Sequence, residues 1–382
     1  MKSCLICCFI LFSFQFNGRI SRATVIQNNI TPAGNIFIIT LDGFRWQEIF
    51  DGADPALLNN EKYTPDTATM KILYGSTDAE GRREKLLPFF WNVIAARGQL
   101  FGNRHFSNKV NVANAYAISY PGYNEMLTGN TDMRISSNDK ISNRNVTVLE
   151  WLNNKEQFRG KVAAFTSWDV FPYILNEERS QIVLNSGYQK MDDPSAEQAL
   201  INKVQDESVH SKERTRHDLL TFLTAKEYIE VHRPKIVFLG LGETDEAAHQ
   251  SRYDLYLEKA NEADRMIAEL WHYVQSTPGY RDNTTLIITT DHGRGSKNNS
   301  WPDHGMFISG SSQTWLAIMG PTIAPAGEIK DEQQLYQKQL AETIAALVGE
   351  KFGSVSQSSS GRPGLTVLVR SDGDRQTEPS DH

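Results

Sequence analysis

Apolar runs typical of buried strands alternate along the chain with segments of helical period. Asn35–Leu41 is almost continuously apolar and stops at Asp42-Gly43, as expected of a strand that is buried on both faces and ends in a turn. Four further runs share this character: Lys161–Trp168, Lys235–Gly242, Thr284–Thr290 and Thr314–Gly320. Helical periods are found at Leu86–Arg97, Val146–Asn154, Asp218–His232, Tyr253–Gln275 and Gln333–Val348. This alternation predicts an α/β fold with a mostly parallel central sheet and helices on both faces.

Three stretches depart from this alternation. Asp169–Arg216 has no strong period and is rich in Asn, Asp, Ser and Gln, so we interpret it as a cap or insertion beside a site. Residues 49–85 are irregular and are punctuated by proline and glycine. Residues 353–382 form a polar tail, most of which is expected to be disordered. One large domain is therefore expected over residues 24–352, and both irregular segments are candidates for substrate selection.

Residues 1–23 have the pattern of a secretory signal peptide. Lys2 supplies the positive charge, Cys4–Phe16 form the apolar stretch, and Ser21-Arg22-Ala23 offers small residues at a cleavage site. A membrane anchor is the alternative, but the stretch is shorter than the roughly 20 residues of a spanning helix. We therefore predict a secreted or periplasmic protein that begins near Thr24 and keeps no stable membrane span. All three cysteines lie in this segment, so the mature chain would have no disulfide, thiolate metal site or cysteine nucleophile.

The charge balance bears on the ligand. The chain has 382 residues, is 40% hydrophobic and carries a formal net charge of −7, with no cluster of Lys or Arg, so a nucleic-acid groove is not indicated. A small anionic substrate would need local positive charge, which bound metal ions can supply. No motif in the sequence specifies an oligomeric state.

Two acid–imidazole pairs follow predicted strands. Asp245 and His249 come directly after the third apolar run, and the i, i+4 spacing on a helix would place both on one face, where they can bind one cation. Asp291-His292-Gly293 closes the fourth run, and the glycine permits a sharp turn that lets both neighbours bind. Taken alone, each pair also has an ordinary explanation, because aspartate commonly caps a helix and Asp-His pairs occur in solvated turns.

Three further side chains complete the candidate set. Asp42 ends the first predicted strand, and His304, alone an ordinary loop histidine, adds a third imidazole in Asp303-His304-Gly305. Ser119 precedes the helical-looking Asn124–Thr128, where a hydroxyl and helix N–H groups can face an anion. A serine N-cap explains this segment equally well by itself. All seven residues lie where a predicted strand ends or a helix begins, which is where open α/β sheets collect their ligands.

The order Asp … Ser-x-Pro … Asp-x-x-x-His … Asp-His-Gly … His-Gly resembles the alkaline phosphatase superfamily, and within it the branch of nucleotide pyrophosphatases and type I phosphodiesterases. The resemblance extends over residues 35–350 and implies an alkaline-phosphatase-like fold with two divalent metal ions. It assigns one ion, which also touches the Ser119 oxygen, to Asp42, Asp291 and His292. It assigns the other ion to Asp245, His249 and His304.

The sequence departs from that branch at two places. The branch usually has threonine followed by Phe-Pro-Asn at the nucleophile, whereas here Ser119 is followed by Tyr120-Pro121-Gly122. Serine is the nucleophile elsewhere in the superfamily, so the chemistry is retained while the preference for diesters is placed in doubt. The branch also has a phosphate-binding asparagine about twenty residues after its nucleophile. Asn138 is our candidate for that role, with Asn143 as the next nearest.

The resemblance and the donor types together predict a metal-dependent phosphoric-ester hydrolase, either a phosphodiesterase or a phosphomonoesterase. A serine hydroxyl is a poor nucleophile until a divalent cation stabilises its alkoxide. We expect Ser119 to attack phosphorus and to form a phosphoserine intermediate, which is then hydrolysed. Three imidazoles favour Zn²⁺, with Mn²⁺ as the second candidate.

Rival functions use the same architecture. Sulfatases carry Cys/Ser-x-Pro-x-Arg, and Tyr123 stands here in place of the arginine. Cofactor-independent phosphoglycerate mutases have similar ligands, but a secretion signal disfavours that metabolic role. A non-catalytic metal-binding protein on the same fold would be expected to have lost a ligand or the nucleophile, and all seven residues are present.

Other residues near these motifs have an ordinary structural explanation, and we predict no catalytic role for them. Arg294 and Arg134 could each bind an anion with a guanidinium fork, but an exposed arginine is more commonly a solubilising group. Trp46, Tyr120 and Tyr123 could stack on an aromatic substrate, but packing is the more common use of such rings.

Overall fold

The computed structural model describes residues 32–191, 194–208, 215–353, 364, 365, 367 and 369. The predicted signal segment, all three cysteines, and most of the polar tail lie outside the described residues. So do residues 192–193 and 209–214 of the predicted insertion. Within the described part, no helix has both the length and the apolar character needed to cross a bilayer.

The described residues form eleven strands, which are β1 (Asn35–Leu41), β2 (Gln99–Phe101), β3 (Asn108–Asn111), β4 (Val162–Thr166), β5 (Val183–Ser186), β6 (Ile236–Leu241), β7 (Thr284–Thr289), β8 (Gln313–Thr314), β9 (Leu316–Met319), β10 (Gly327–Glu328) and β11 (Gln333–Tyr336). Eight of them form the central sheet in the order β10-β2-β9-β7-β1-β6-β4-β5, and the other three form a small sheet in the order β11-β3-β8. Only β9 runs antiparallel to its neighbours in the central sheet. The predicted mostly parallel α/β sheet is therefore confirmed.

Fourteen α-helical segments accompany these strands in the described residues, which are α1 (Trp46–Asp51), α2 (Pro55–Leu58), α3 (Thr67–Tyr74), α4 (Ala79–Leu86), α5 (Ala95–Arg97), α6 (Ser119–Thr128), α7 (Val148–Asn153), α8 (Phe171–Ile174), α9 (Glu177–Ser180), α10 (Ala196–Ser208), α11 (Asp218–His232), α12 (Glu243–His249), α13 (Tyr253–Ser276) and α14 (Leu340–Leu347). Alternate residues of β1 face opposite cores: Phe37 and Ile39 pack with α11 and α13, and Ile36 and Ile38 pack with α6, α7 and α14. Helices therefore cover both faces of the sheet, as predicted.

The central strands carry their C-terminal ends to one edge of the sheet. β1 lies between β6 and β7, and Thr40 pairs with Gly240 on one side and with Thr289 on the other. Because all three strands are parallel, the segments that follow them emerge side by side. This register brings together residues that are more than 200 positions apart in sequence.

Two helix predictions were wrong in part. Within the predicted helix 86–97, Phe90–Ile94 form a π-helical turn, and the Asp264 carboxylate accepts the N–H groups of Phe89 and Phe90 at its start. Within the predicted helix 333–348, Gln333–Tyr336 form β11, which pairs in parallel with β3. The α-helix begins only at Leu340, after a 3₁₀ turn. The secondary structure of Gln333–Tyr336 is determined by pairing with a strand that is distant in sequence. A local hydrophobic period gives no information about such pairing.

The irregular segment 49–85 is mostly helical, contrary to the prediction. Each of α2, α3 and α4 begins after an aspartate, Asp54, Asp66 or Asp78, whose side chain accepts a backbone N–H of the first turn. Part of the other segment, 169–216, also joins the main architecture, because β5 is an edge strand paired with β4.

Candidate metal centre and active site

The six candidate metal ligands lie together at the C-terminal edge of the central sheet. They follow β1, β6 and β7, except for His304, which comes from the loop before β8. Their ligand atoms form two groups, and in each group the atoms lie within 4.8 Å of one another: Asp42, Asp291 and His292 in the first, and Asp245, His249 and His304 in the second. The geometry thus brings these residues together in the same two sets that the family resemblance implies.

The first group is buried and has unpaired ligand atoms. Asp42 Oδ1 and Asp291 Oδ2 are both buried and have no hydrogen-bond partner among the described residues. They lie 3.5 and 3.4 Å from His292 Nε2. Two ligands of a tetrahedral zinc ion, with bonds of about 2.0–2.1 Å, are separated by about 3.3 Å. Unpaired buried carboxylate oxygens are costly unless a cation binds them, so this set fits a divalent metal.

Each member of the first group is held by its other polar atom. Tyr123 Oη donates to Asp42 Oδ2 at 3.0 Å, and the Gly43 N–H donates to Asp291 Oδ1 at 3.0 Å. His292 Nδ1 lies 2.9 Å from the carbonyl oxygen of Gly293, which can only accept, so Nδ1 carries the proton. Each side chain therefore presents one free ligand atom towards a common point, as outer contacts of metal sites commonly arrange.

Burial shifts the pKa values of the three side chains in the first group. Burial, followed by repulsion from Asp291, raises the pKa of Asp42 to about 7. Burial likewise raises the pKa of Asp291 to about 7, although the Gly43 N–H opposes the shift. Burial lowers the pKa of His292, which favours the neutral imidazole that binds metals. Positive charge at this point would restore the ionised form of both carboxylates.

The second group lies nearer the surface. Asp245 and His249 stand one turn apart on α12, with Asp245 Oδ2 3.0 Å from His249 Nε2. His304 Nε2 lies 3.2 Å from His249 Nε2. Both separations are close to the roughly 3.3 Å expected at a tetrahedral zinc ion. His304 Nδ1 faces the carbonyl oxygen of Ala117 at 3.3 Å, so its Nε2 is the free ligand atom.

Arg294 is buried between the two groups, so its interpretation as an exposed solubilising residue was wrong. Only 1% of its surface is exposed, and its guanidinium donates to the Asp245 carboxylate. Burial lowers the pKa of Arg294 to about 9, which leaves it cationic at neutral pH. No sequence signal distinguished this arginine from exposed ones, because its burial depends on which loops meet at the sheet edge.

Ser119 is the first residue of α6 and lies beside the first group. Its Oγ is 3.3 Å from His292 Nε2, and only 5% of the residue is exposed. Gly122, one turn later, allows α6 to approach β7, since a Cβ at this position would lie 2.4 Å from the Asp291 carbonyl oxygen. Ala117 precedes the helix with a φ of 48°, a left-handed conformation uncommon for alanine. The helix therefore begins earlier than the predicted Asn124 and places the serine hydroxyl among the ligands.

A cleft of about 230 Å³ opens over these residues. Its lining comprises Asp42, Ser119, Asn138, Trp168, Thr215, Gly242, Asp245, Glu246 and His249. Trp168 and Glu246 were not singled out from the sequence, because neither belongs to a recognisable motif. The cleft thus joins the serine, both ligand groups and the candidate phosphate-binding asparagine.

The two asparagine candidates lie in different surroundings. Asn138 is exposed and lines the cleft, and its Oδ1 accepts the Tyr120 N–H at 2.9 Å. Its amide nitrogen has no hydrogen-bond partner among the described residues and is therefore available as a donor. Asn143 is buried and donates to Asn124 Oδ1 and to the Ile174 carbonyl oxygen. The cleft position therefore favours Asn138 over Asn143 as a substrate ligand.

Most of the other aromatic and arginine candidates serve packing or surface contacts. Tyr120 is buried and donates to the Ile141 carbonyl oxygen, while Trp46 donates to Gln313 Oε1. Arg134 is exposed and pairs with Asp132. Tyr123 differs, because its hydroxyl holds a candidate ligand. Packing explains where these rings lie, but it did not predict that contact.

Comparison with known proteins agrees with this arrangement. The model of the family "Type I phosphodiesterase / nucleotide pyrophosphatase" matches residues 84–357, which is more than half of the chain and includes every candidate site residue except Asp42. No relative was found among the curated proteins.

Solved structures share the fold at low sequence identity. The alkaline phosphatase PafA is 12% identical, with a TM-score of 0.55, over 85% of this chain and 97% of that one. A putative sulfatase from Bacteroides thetaiotaomicron is 12% identical, with a TM-score of 0.55, over 87% and 73%. The lipoteichoic acid synthase LtaP from Listeria monocytogenes is 11% identical, with a TM-score of 0.54, over 87% and 74%.

Proposed function

Because the chain belongs to the type I phosphodiesterase / nucleotide pyrophosphatase family of the alkaline phosphatase superfamily, we propose that it is a two-metal phosphoric-ester hydrolase whose nucleophile is Ser119. One observation carries most of the weight. The Ser119 hydroxyl lies 3.3 Å from His292 Nε2, beside two buried carboxylate oxygens that have no partner among the described residues. This contact supports a nucleophile and a set of metal ligands at one point of the site.

The proposed ligand sets are the two groups that the geometry defines. Asp42, Asp291 and His292, together with the Ser119 oxygen, would hold one ion, and Asp245, His249 and His304 would hold the other. Three imidazoles favour Zn²⁺, with Mn²⁺ second. Two such ions would lower the pKa of the serine hydroxyl and neutralise charge on the phosphoryl and leaving oxygens.

The protein residues then perform a double displacement. Ser119 loses its hydroxyl proton to solvent, its Oγ forms a bond to phosphorus, and the bond from phosphorus to the leaving oxygen breaks, so that the leaving oxygen takes a proton from solvent and departs. Ser119 then carries the phosphoryl group, as phosphoserine from a monoester and as an ester of phosphoserine from a diester. Water then attacks phosphorus and breaks the Oγ–P bond, which returns the serine and releases the second product. The amide nitrogen of Asn138 donates to a phosphoryl oxygen, and the dipole of α6, which begins at Ser119, favours negative charge near that residue.

We propose phosphodiesters as the substrates, with phosphomonoesters as the second candidate. The family match supports diesters, while the likeness to an alkaline phosphatase shows the fold alone. No observation favours sulfate esters. Tyr123, where a sulfatase would have arginine, is buried beneath Asp42 and offers no cation to a substrate. The signal-like segment 1–23 supports a secreted or periplasmic location, which stays a prediction.

The test uses the chain from Thr24 onwards, loaded with Zn²⁺. Cleavage of bis-p-nitrophenyl phosphate, p-nitrophenyl phosphate and p-nitrophenyl sulfate is measured together with bound zinc, for the wild type, Ser119→Ala and Ser119→Thr. We expect two zinc ions per chain, preferential cleavage of the diester, loss of activity in the alanine variant and its partial retention with threonine. Faster sulfate cleavage, or metal binding without hydrolysis of any ester, would overturn the proposal.

A further inference from the structure

Arg294 connects the loops that carry both ligand groups. Its Nε donates to the Gly43 carbonyl oxygen at 3.1 Å, next to Asp42, and its Nη1 donates to the Pro302 carbonyl oxygen, two residues before His304. Its Nη2 donates to Oδ1 of Asp245. Arg294 itself stands two residues after His292. One buried side chain, from the segment after β7, thus contacts the ligand-bearing segments after β1 and β6 and the loop before β8.

The three carboxylates share one pattern of contacts. In each, one oxygen accepts a hydrogen bond from the protein and the other does not. The donor is Tyr123 Oη for Asp42, the Gly43 N–H for Asp291 and Arg294 for Asp245. For Asp245 the accepting oxygen, Oδ1, lies 3.9 Å from Nε2 of both His292 and His304, so its bond to Arg294 engages an oxygen that would otherwise be near both ligand groups. The remaining oxygen of Asp245, Oδ2, lies 3.0 Å from His249 Nε2, within the second group.

We infer that Arg294 is a positioning residue for the second ligand group, which holds Asp245 so that the carboxylate offers a metal ion only Oδ2. This inference rests on the proposed two-metal function. Arg294 does not depend on Asp245 for its own place, because its other donors are satisfied by two backbone carbonyl groups. It therefore keeps the carboxylate rotamer fixed whether or not a metal is bound, which reduces the ordering cost of binding.

The contact between Arg294 and Asp245 limits the number of ligand atoms that Asp245 can supply to a metal ion. A carboxylate free at both oxygens can bind one ion through two atoms and so fill a position otherwise open to solvent or substrate. With Oδ1 engaged by Arg294, Asp245 supplies one ligand atom. Together with His249 and His304, this gives three protein ligands, the number typical of catalytic zinc sites that keep a position open.

The test measures zinc affinity by competition with a chromophoric chelator, so that catalysis is not the readout. Wild type is compared with Arg294→Lys, which keeps the charge but not the three-way contact, and with Arg294→Gln. Arg216→Gln is the matched control, because Arg216 is also 1% exposed and contacts none of the six ligands. Removing an outer contact of a metal ligand typically weakens binding by about 10–100-fold. We expect that loss for one of two ions in Arg294→Gln, a smaller loss in Arg294→Lys and none in Arg216→Gln.

Two backgrounds identify which ion is affected. In Asp42→Ala, which retains the second group, Arg294→Gln should still weaken the remaining ion. In His249→Ala, which retains the first group, the same change should have little effect. Equal weakening of both ions, no weakening, or tighter binding in Arg294→Gln would overturn the inference while leaving the two-metal function intact. A wild-type chain that binds fewer than two ions would instead refute the proposed function and this inference with it.

Discussion

The phenol of Tyr123 donates a 3.0 Å hydrogen bond to Oδ2 of Asp42 and so leaves Oδ1 of that carboxylate free among the ligand atoms of the first group. The ring itself is buried and packs edge-on against Phe171, with centroids 4.6 Å apart. Its packing and its hydrogen bond can therefore be separated by a single change.

Tyr123→Phe should weaken zinc binding without unfolding the protein. The variant keeps the ring in place and removes only the hydroxyl, so Asp42 loses the donor that fixes its rotamer. We expect about 10–100-fold weaker binding of one zinc ion and a small change in the thermal midpoint. Chelator competition and thermal unfolding measure the two effects. A variant with wild-type affinity for both ions would show that Asp42 is positioned by other contacts.

Gly122→Ala should disable the site by displacing α6. The added Cβ would lie 2.4 Å from the Asp291 carbonyl oxygen, so the helix or the strand end must move. Overpacking of this kind costs about 1–3 kcal/mol, and the displaced Ser119 should lower kcat by much more than the stability loss explains.

Gly160→Ala is the control for a glycine substitution away from the site. Gly160 has a φ of 68° and nothing within 4 Å of a Cβ, so the change should cost about 1 kcal/mol of stability with kcat unchanged. Equal kcat losses in the two alanine variants would contradict the role given to Gly122.

In the metal-free protein, the contribution of Asp42 and Asp291 to stability should fall as pH rises through neutrality. Burial raises the pKa of Asp42 and Asp291 from 3.8 to about 7, so the folded protein holds these protons more tightly than the unfolded chain. Their contribution to the free energy of unfolding is full below about pH 3.8 and is lost as pH rises through about 7.

Asp42→Asn isolates this effect. Thermal unfolding of the metal-free wild type and variant is compared at intervals from about pH 5 to pH 8. The thermal midpoint of the wild type should decrease relative to that of the variant as pH increases. Saturating zinc should reverse the loss in the wild type, and a concentration of 100 times Kd stabilises by about 2.7 kcal/mol. A difference between the two metal-free proteins that stays constant with pH would refute the assignment.

Asn138→Ala should impair catalysis while leaving the fold intact. The asparagine is exposed in the cleft, and removal of one donor to a developing charge commonly lowers kcat by about 10²–10³-fold. Asn143→Ala is the matched control, because that residue is buried in a structural network and should lower the thermal midpoint instead. Reversal of these two phenotypes would transfer the substrate role to the neighbourhood of Asn143.

Much of the site could be predicted because its signals are local. A buried strand such as Asn35–Leu41 is visible in the sequence as an apolar run, and the polar residue that follows it lies at the edge of the sheet. The parallel arrangement then brings Asp42, the helix after β6 and Asp291 together. The aspartates that cap helices in segment 49–85, such as Asp54, are also a local signal, because a capping residue directly precedes the helix that it caps.

The remainder depends on contacts between distant segments. In the sequence, nothing distinguishes Arg294 from a surface arginine, because its burial results from contacts with the segments after β1 and β6. The hydrophobic period of Gln333–Tyr336 is compatible with a helix, but the segment pairs with one edge of β3 and is therefore a strand. Such outcomes are set by tertiary pairing, which outweighs local propensity.

Detection of a phosphoryl group on Ser119 tests the central claim most directly. The zinc-loaded protein is mixed with bis-p-nitrophenyl phosphate, quenched in acid within the first turnover and examined by peptide mass spectrometry, beside Ser119→Ala. The predicted result is a Ser119 peptide that carries a p-nitrophenyl phosphoryl group in the wild type and is absent from the variant, because one of the two p-nitrophenyl groups stays on phosphorus after the first displacement. Rapid release of p-nitrophenol with no phosphoryl adduct on Ser119, or hydrolysis that persists in Ser119→Ala, would show that water attacks phosphorus directly and would contradict the account.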